Sequence, residues 1–485
     1  MPRRDDRWLA WISGGVALAA LPACIRVARA VPLHVPLDRN EGWNAYQAAA
    51  AFDGTLYPHP PHFFINNYPP LSFYIVGGLD YLIGDAIVTG RLVACAAFVT
   101  LSAMLAVAAR RLGCSLAEAM FAVVLFVSTT LALSHYVGID DPQFLGQAVS
   151  TAALLILLCD NAGAAGIWCA AALMAAGVFT KHNVIALPIA SVGWLWGRNR
   201  RAAIQFAVAG IGFATIGTIV CVKVFGPGFI EGMTTPRAYS LPVAVGALFR
   251  WIVRVPVFLA ALALFVRRDG SDRGVAFCVW YVGVASAVGL VFLGGDGVDW
   301  NVMFESNWAC CLTAAIALNR LAMTRRFAVA FLLLPIVASL LAVRRAQIDP
   351  RSSLAWRIAA APATAQDIAF LARDSGPAVC EALALCYWAD KRAEIDAFNL
   401  QQRVKHGDCR ADKVAEWILF NYPVVQVSEP DTLFDRALID ALREKRVLAR
   451  RGPSGSFWVI PPLARAVDPS TNRSAGSSIG ERCIN

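Results

Sequence analysis

The sequence predicts an α-helical protein that crosses a membrane many times and ends in a small C-terminal α/β domain. Of its 485 residues, 58% are hydrophobic and 16% are charged, and the mean hydropathy is +0.55. Soluble domains have about 25% charged residues. The apolar residues form segments close to the roughly 20 residues that cross a bilayer as a helix. A transmembrane β-barrel would instead show alternating segments of about 10 residues.

We predict about 11 transmembrane helices, a number set by the length of each apolar segment. The first segment follows Arg3, Arg4 and Arg7, and we interpret it as an uncleaved span because no small-residue cleavage site and soluble domain follow it. The fifth and sixth spans are short. The predicted spans are 8–31, 86–109, 116–137, 142–159, 164–180, 183–197, 202–222, 246–266, 274–294, 301–321 and 326–346.

The basic residues predict the orientation. With the N-terminus in the cytoplasm, most arginine clusters fall in cytoplasmic connections, as in the pairs 110–111, 200–201, 267–268 and 325–326. This placement explains the net charge of +9 without nucleic acid binding. An odd number of spans then puts the C-terminal region outside the cytoplasm.

Three parts follow from this pattern. Residues 1–348 form the transmembrane domain, with a large first outer loop at 32–85. Residues 349–463 predict an extracytoplasmic α/β domain, because β-rich runs at 378–381, 424–427 and 457–460 alternate with helical patterns at 364–375, 412–421 and 432–444. Residues 464–485 are polar and predict a disordered tail. Outside the cytoplasm one disulfide is expected among the cysteines of the tail region, which are Cys380, Cys386, Cys409 and Cys483.

The first outer loop begins with two carboxylates. Asp38 and Glu41 have the spacing of a capping box at the start of a helical run. The functional alternative is a general base, because a carboxylate at the membrane boundary can accept a proton from an attacking hydroxyl. Both interpretations stay open, with Glu41 as the first candidate.

A second acidic turn follows the third span. Asp141 precedes Pro142, which favours helix capping. Asp140 has no capping role, so this residue could orient a sugar hydroxyl. Together the two carboxylates could hold a divalent cation through their oxygens.

Basic and amide residues complete the candidates. Lys181 and His182 join the two short spans, where the lysine could reach the interface or contact a phosphate. Glu305 lies in a span and is either a functional residue or a polar contact between helices.

Asn66, Asn67 and Tyr68 precede two prolines and could cap the next helix or bind a sugar. His59 and His62 are a weak metal signal. No phosphate-binding G-x-x-x-x-G-K-[ST] loop occurs, which argues against a nucleotide-driven pump.

In order along one side of the membrane, the chain has Asn40-Glu41-Gly42 with a Gly-Thr-Leu-Tyr turn, Asn67-Tyr-Pro-Pro-Leu71, Asp140-Asp141-Pro142 and Thr180-Lys181-His-Asn183. With these motifs the chain resembles the GT-C superfamily of membrane glycosyltransferases. The resemblance is to bacterial relatives of protein O-mannosyltransferase and lipid A aminoarabinose transferase. It covers roughly residues 8–346, and we expect it to extend into the C-terminal domain.

The resemblance implies an inverting transfer of a sugar from a polyprenyl-phosphate donor to an extracytoplasmic acceptor, in the bacterial inner membrane. Glu41 matches the acidic position of the family, but Asn40 replaces the usual preceding aspartate, so either Glu41 or Asp38 could be the base. Lys181 matches a position near the donor phosphate. The sequence identifies no cofactor with certainty, and a divalent cation could bind at the two aspartates. A secondary transporter or lipid flippase is the alternative function, although no internal repeat appears.

Overall fold

The computed structural model describes residues 6–58, 63–133, 136–159, 163–235, 237–254, 264, 272–320 and 354–461. These residues are mostly helical, with one four-stranded sheet near the C-terminus. The eleventh predicted span at 326–346, the histidines His59 and His62, and the predicted tail at 464–485 lie outside the described residues.

The helices of the transmembrane part follow the apolar segments of the sequence. They are α1 (Asp6–Ala30), α2 (Asn40–Ala50), α3 (Leu71–Ile83), α4 (Ala86–Arg111), α5 (Leu116–Leu133), α6 (Gln143–Leu157), α7 (Ala164–Thr180), α8 (Ala186–Trp196), α9 (Arg200–Phe225), α10 (Pro227–Met233), α11 (Leu241–Arg254), α12 (Arg273–Leu293) and α13 (Phe304–Arg320). A short 3₁₀ turn at Trp300–Met303 leads into α13.

Four of the described helices are long and apolar enough to cross a membrane. They are Arg7–Ala30, Ala86–Arg111, Arg200–Phe225 and Arg273–Leu293. The other apolar helices are shorter, and α8, which coincides with the sixth predicted span, has 11 residues. At about 1.5 Å per residue such a helix is about 16 Å long, roughly half of a bilayer core. The number of about 11 spans therefore stays a prediction.

Basic residues from several connections meet at one end of the helices. Arg320 forms an ion pair with Asp272 (2.8 Å) and donates to the carbonyl of Leu112 (2.8 Å). Arg111 donates to the carbonyl of Leu155. The loops with the predicted site residues lie at the opposite ends of these helices, so the helix bundle separates a basic end from a site-bearing end.

The C-terminal part contains the helices α14 (Leu354–Ala359), α15 (Ala361–Ala372), α16 (Leu383–Trp388), α17 (Ala397–His406), α18 (Ala411–Asn421) and α19 (Arg436–Lys445). Its strands are β1 (Ala378–Cys380), β2 (Val424–Val427), β3 (Val447–Gly452) and β4 (Gly455–Val459). The order in the sheet is β1-β2-β4-β3, with β1 parallel to β2 and the other pairs antiparallel. A disulfide joins Cys380 at the end of β1 to Cys386 in α16.

The contacts between the C-terminal part and the site-bearing end include two groups of hydrogen bonds. At the first, the Trp388 indole donates to Asp85 (3.0 Å) and the Tyr387 hydroxyl accepts the backbone N–H of Ala86 (3.0 Å). At the second, Asp296 accepts hydrogen bonds from Lys405 (2.7 Å) and Gln402 (2.9 Å). The space between these two contacts is left open as a cavity.

Gly42 makes the closest approach between α2 and α16. A Cβ atom at this position would lie 2.0 Å from the backbone nitrogen of Ala384. We predict that Gly42→Ala destabilises the protein by about 1–3 kcal/mol, the usual cost of overpacking. Thermal unfolding of the purified protein in detergent measures this change.

Gly210→Ala is the matched control, because a Cβ atom at Gly210 in α9 would meet nothing within 4 Å. This control is expected to leave the melting temperature unchanged or slightly raised. Equal melting temperatures for the two variants would show that α16 is not packed on α2 as described.

Candidate functional site

A cavity of about 610 Å³ lies between the outer loops and the C-terminal part. Its walls come from the start of the first outer loop, the loops around 237 and 296–299, and the segments 356–364, 381–384, 396–401 and 428–433. Many of its lining side chains are charged. The charged lining residues are Asp38, Arg39, Arg237, Asp296, Asp299, Arg357, Glu381, Asp396, Glu429 and Asp431.

Glu41 does not line this cavity, because its side chain is fully buried in an ion pair with Arg91 of α4. The Arg91 Nε and Nη2 atoms each lie 2.7 Å from one oxygen of the Glu41 carboxylate, and both side chains have 0% exposure. The same carboxylate also accepts the backbone N–H groups of Leu37 (2.8 Å), Asp38 (3.3 Å) and Asp140 (3.2 Å). The bond to Asp38 is the capping contact that the spacing predicts.

Arg91 also fixes the chain that enters the first outer loop. Its Nη1 atom donates to the carbonyls of Leu33 (2.7 Å), Val31 (3.2 Å) and Ala30 (3.3 Å), and Nη2 donates to Val35 (2.7 Å). The guanidinium therefore connects the end of α1, the loop at 31–35 and α2. The N–H groups of the Arg91 guanidinium and both oxygens of the Glu41 carboxylate thus already have hydrogen-bond partners.

Asp38 has a different environment from Glu41. This residue is half-buried and lines the cavity, together with Asn40 and Trp43 of the first turn of α2. One of its oxygens accepts the backbone N–H of Asn40 (2.8 Å). Arg357 is a charged neighbour: burial lowers the pKa of its guanidinium, whereas Asp38 and Glu41 act in the opposite direction.

The neighbouring aspartates Asp140 and Asp141 contact different partners. Asp141 accepts the backbone N–H of Gln143 (2.8 Å), which is the predicted capping contact at the start of α6, and pairs with Lys181 (3.2 Å). The Asp140 carboxylate packs against Gly90 of α4 instead. Within the described ranges no group of three or more candidate metal-ligating side chains occurs. Neither aspartate lines the large cavity.

Lys181 lies behind Tyr68. Its ammonium is 3.6 Å from the centroid of the Tyr68 ring, its side chain has 2% exposure, and Tyr68 itself lines the cavity. His182 is buried beside Tyr68, with ring centroids 5.7 Å apart, and its Nδ1 atom has no hydrogen-bond partner among the described residues. Burial, followed by the positive charges of Lys181 and Arg237, lowers the pKa of His182 to about 3. The imidazole is therefore neutral in a positive environment.

The remaining predicted residues separate into two groups. Asn67 lines the cavity. Asn66 is buried and stabilises its own loop: its side chain accepts the N–H of Tyr68 (3.0 Å) and donates to the carbonyl of Leu56 (3.3 Å). Glu305 accepts the backbone N–H groups at the start of α8, 3.4 Å from Ala186 and 3.0 Å from Leu187. Glu305 is thus a cap between helices, away from the cavity.

Three arginines were not among the residues predicted from the sequence. Arg91 had a signal, because no other charged residue occurs between positions 86 and 109 and a charge within a span has a function by default. Arg237 and Arg357 reach the cavity from a loop and from a helix beyond the transmembrane part. Nothing in their local sequence distinguishes them from other surface arginines.

No family model matches the chain, and no curated protein sequence matches it either. Two solved structures share its fold at 15% identity. ArnT from Cupriavidus metallidurans in the apo state has a TM-score of 0.59, covering 92% of this chain and 97% of that chain. The same protein bound to undecaprenyl phosphate has a TM-score of 0.57, covering 92% and 98%.

The protein O-mannosyltransferase Pmt1-Pmt2 complex of S. cerevisiae, bound to the sugar donor, matches with a TM-score of 0.32 and 14% identity over 50% of this chain and 37% of that chain. The ArnT matches, in contrast, extend over nearly the whole of both chains. This protein therefore has the fold of the ArnT structures, and the resemblance that the four short motifs predict agrees with this shared fold.

Proposed function

We propose that this protein is a membrane glycosyltransferase that transfers a sugar from a polyprenyl-phosphate donor to an extracytoplasmic acceptor. The observation that carries the proposal is the large charged cavity at one end of the helix bundle, with a half-buried carboxylate in its wall. The shared fold supports the same conclusion, since one of the two ArnT structures is bound to undecaprenyl phosphate. The activated donor supplies the energy, so no nucleotide site is needed.

Asp38 is the base in this proposal. An acceptor hydroxyl in the cavity gives its proton to the Asp38 carboxylate while its oxygen attacks the anomeric carbon of the donor sugar. The bond from this carbon to the phosphate oxygen breaks at the same time, which inverts the anomeric configuration. Glu41 cannot accept this proton without losing the Arg91 ion pair, because both of its oxygens are already hydrogen-bonded.

The donor phosphate lies near His182 in this proposal. Lys181 and Arg237 both depress the pKa of this histidine, so the two cations act on the same small region. Fixed positive charges stabilise the negative charge that develops on a departing phosphate. Lys181 contacts the phosphate only when the Tyr68 ring moves away from its ammonium, because the ring now covers it.

The disulfide between Cys380 and Cys386 supports an extracytoplasmic C-terminal part, since disulfides form and persist in oxidising compartments. The cavity wall at 381–384 belongs to the segment that this disulfide closes. The acceptor would thus enter from outside the cytoplasm, between the C-terminal part and the outer loops. This orientation matches the bacterial inner membrane, with the N-terminus in the cytoplasm.

The first test compares Asp38→Asn with Glu41→Gln. We expect Asp38→Asn to reduce sugar transfer by about 10²-fold or more, because general base catalysis contributes about that much. Its melting temperature should stay close to that of the wild type. Transfer is measured with purified protein, radiolabelled polyprenyl-phosphate sugars and membrane lipid acceptors.

Glu41→Gln is expected to lower the melting temperature strongly, because Arg91 would remain as a buried charge without its ion-pair partner. Such a loss costs about 3–5 kcal/mol of stability. The double variant Glu41→Gln with Arg91→Gln should regain part of this stability and some transfer. Full activity of Asp38→Asn would remove Asp38 from the mechanism. Movement of the donor lipid across vesicles without any transfer would favour a flippase instead.

The second test concerns the donor phosphate. Arg237→Gln and Lys181→Gln are each expected to weaken donor-lipid binding by about tenfold or more, because a charge-assisted hydrogen bond is worth about 1.5–3 kcal/mol. Binding of polyprenyl phosphate is measured by the increase in melting temperature at rising lipid concentration. Arg410→Gln is the matched control, because Arg410 pairs with Asp412 on the exposed surface of the C-terminal part. Equal binding by all three variants would place the phosphate elsewhere.

A further inference from the structure

A second, much smaller cavity of about 10 Å³ lies among α2, α3, α4 and the turn before α6. Three oxygen atoms beside it have no hydrogen-bond partner among the described residues, although each is buried. They are the Asn44 Oδ1, Ser72 Oγ and Asp140 Oδ2 atoms. A buried polar atom without a partner costs about 1–3 kcal/mol. Three such atoms around one small space indicate a bound molecule.

The side chains that surround this space are held in place. The Asn44 Nδ2 atom donates to the backbone carbonyl of Asp140, which leaves the Asn44 Oδ1 atom for another partner. A Cβ atom at Gly90 would lie 1.9 Å from the nearer Asp140 oxygen. The absence of a side chain at this position of α4 therefore makes room for the Asp140 carboxyl group.

The neighbouring charges are balanced without Asp140. Glu41 pairs with Arg91, and Asp141 pairs with Lys181. Asp140 pairs with no cation among the described residues. Burial, and then the negative charges of Glu41 and Asp141, raise the pKa of Asp140 well above its usual range. An ionised Asp140 would thus add one unbalanced buried charge.

We propose that this cavity binds one water molecule and that Asp140 is a neutral carboxylic acid that holds it together with Asn44 and Ser72. A volume of about 10–15 Å³ is what one water needs, with two to four polar partners. The water donates to the Asn44 carbonyl oxygen and exchanges hydrogen bonds with the two hydroxyl groups. It thereby joins α2, α3 and the 138–142 turn.

A divalent cation fits this space poorly. Calcium takes six to eight oxygen ligands and magnesium requires an octahedral shell. Among the described residues, three unpartnered oxygens lie at this space, and a cavity of this size has no room for further waters. In this proposal the site contains one water molecule and a protonated Asp140, where the sequence suggested a cation held by Asp140 and Asp141.

In this arrangement Asp140 is a positioning residue. Its backbone N–H donates to Glu41, and its side chain holds the water beneath α2, which begins at Asn40, two residues after Asp38. The inference does not depend on the proposed sugar transfer, because stability and vibrational spectra can test it without an activity assay.

The experiment compares Asp140→Asn, Asp140→Leu and Ser72→Ala in the full-length protein. Asparagine keeps the size and the neutral charge, so we expect its melting temperature to equal that of the wild type. Asp140→Leu leaves the water and Asn44 with fewer partners, so we expect this variant to have a lower melting temperature than the wild type. Ser72→Ala should have a smaller effect of the same sign.

Infrared difference spectra between the wild type and Asp140→Asn give a direct signature. A protonated Asp140 contributes a carboxylic-acid C=O band that shifts in D₂O and is missing from the variant. Loss of carboxylate bands instead, or an Asp140→Asn variant as unstable as Asp140→Leu, would overturn the proposal. A calcium- or magnesium-dependent rise in melting temperature that Asp140→Asn abolishes would overturn it in favour of a cation.

Discussion

The buried ion pair between Arg91 and Glu41 holds the site-bearing end together. Arg91 belongs to a helix long enough to cross a membrane, and Glu41 belongs to the loop that lines the cavity. Between them the two side chains bond backbone groups of α1, of the 31–38 segment and of the turn at Asp140. Backbone groups in these three places thus depend on one guanidinium and one carboxylate.

Such an ion pair fixes the conformation of the surrounding backbone more than it adds to the free energy of folding. Removing two charges from water costs several kcal/mol per ion, and the attraction between them recovers this only when every remaining donor and acceptor is bonded. Here the Arg91 donors reach Glu41 and four backbone carbonyls, so that condition is met. An apolar pair of similar volume could pack as well, but it could not fix the backbone carbonyls of the loop. The rigid loop is what places Asp38 in the cavity wall.

The sequence predicted the parts that depend on local pattern. Apolar segment length located α1, α4, α9 and α12, and β-rich runs located β1, β2 and β4. The capping contacts of Glu41 and Asp141 also followed from residue spacing. Strand β3 was missed, because Arg450 and Arg451 interrupt its apolar pattern at an exposed edge of the sheet.

The partners of the site residues could not be predicted, because they come from distant parts of the chain. Arg91 is 50 positions from Glu41, and Lys181 is 40 positions from Asp141. Spacing rules reach only across a helical turn or a hairpin. Glu305 shows the consequence: its place in a span left open a functional residue or a polar contact between helices, and the structure shows a contact with the N–H groups of α8.

Two carboxylates three residues apart illustrate how environment divides their roles. Asp38 and Glu41 have the same chemistry and lie at the same helix start, so the sequence could not choose between them. Glu41 faces a guanidinium and four helix or loop segments, where its charge is fully compensated and water is excluded. Asp38 lies in the wall of the large cavity, with Arg357 nearby. A base needs access to its proton donor before it needs a tuned pKa. Of the two carboxylates, only Asp38 lines the cavity that an acceptor could enter. Asp38 is held there because Glu41 is buried in the ion pair that fixes the loop.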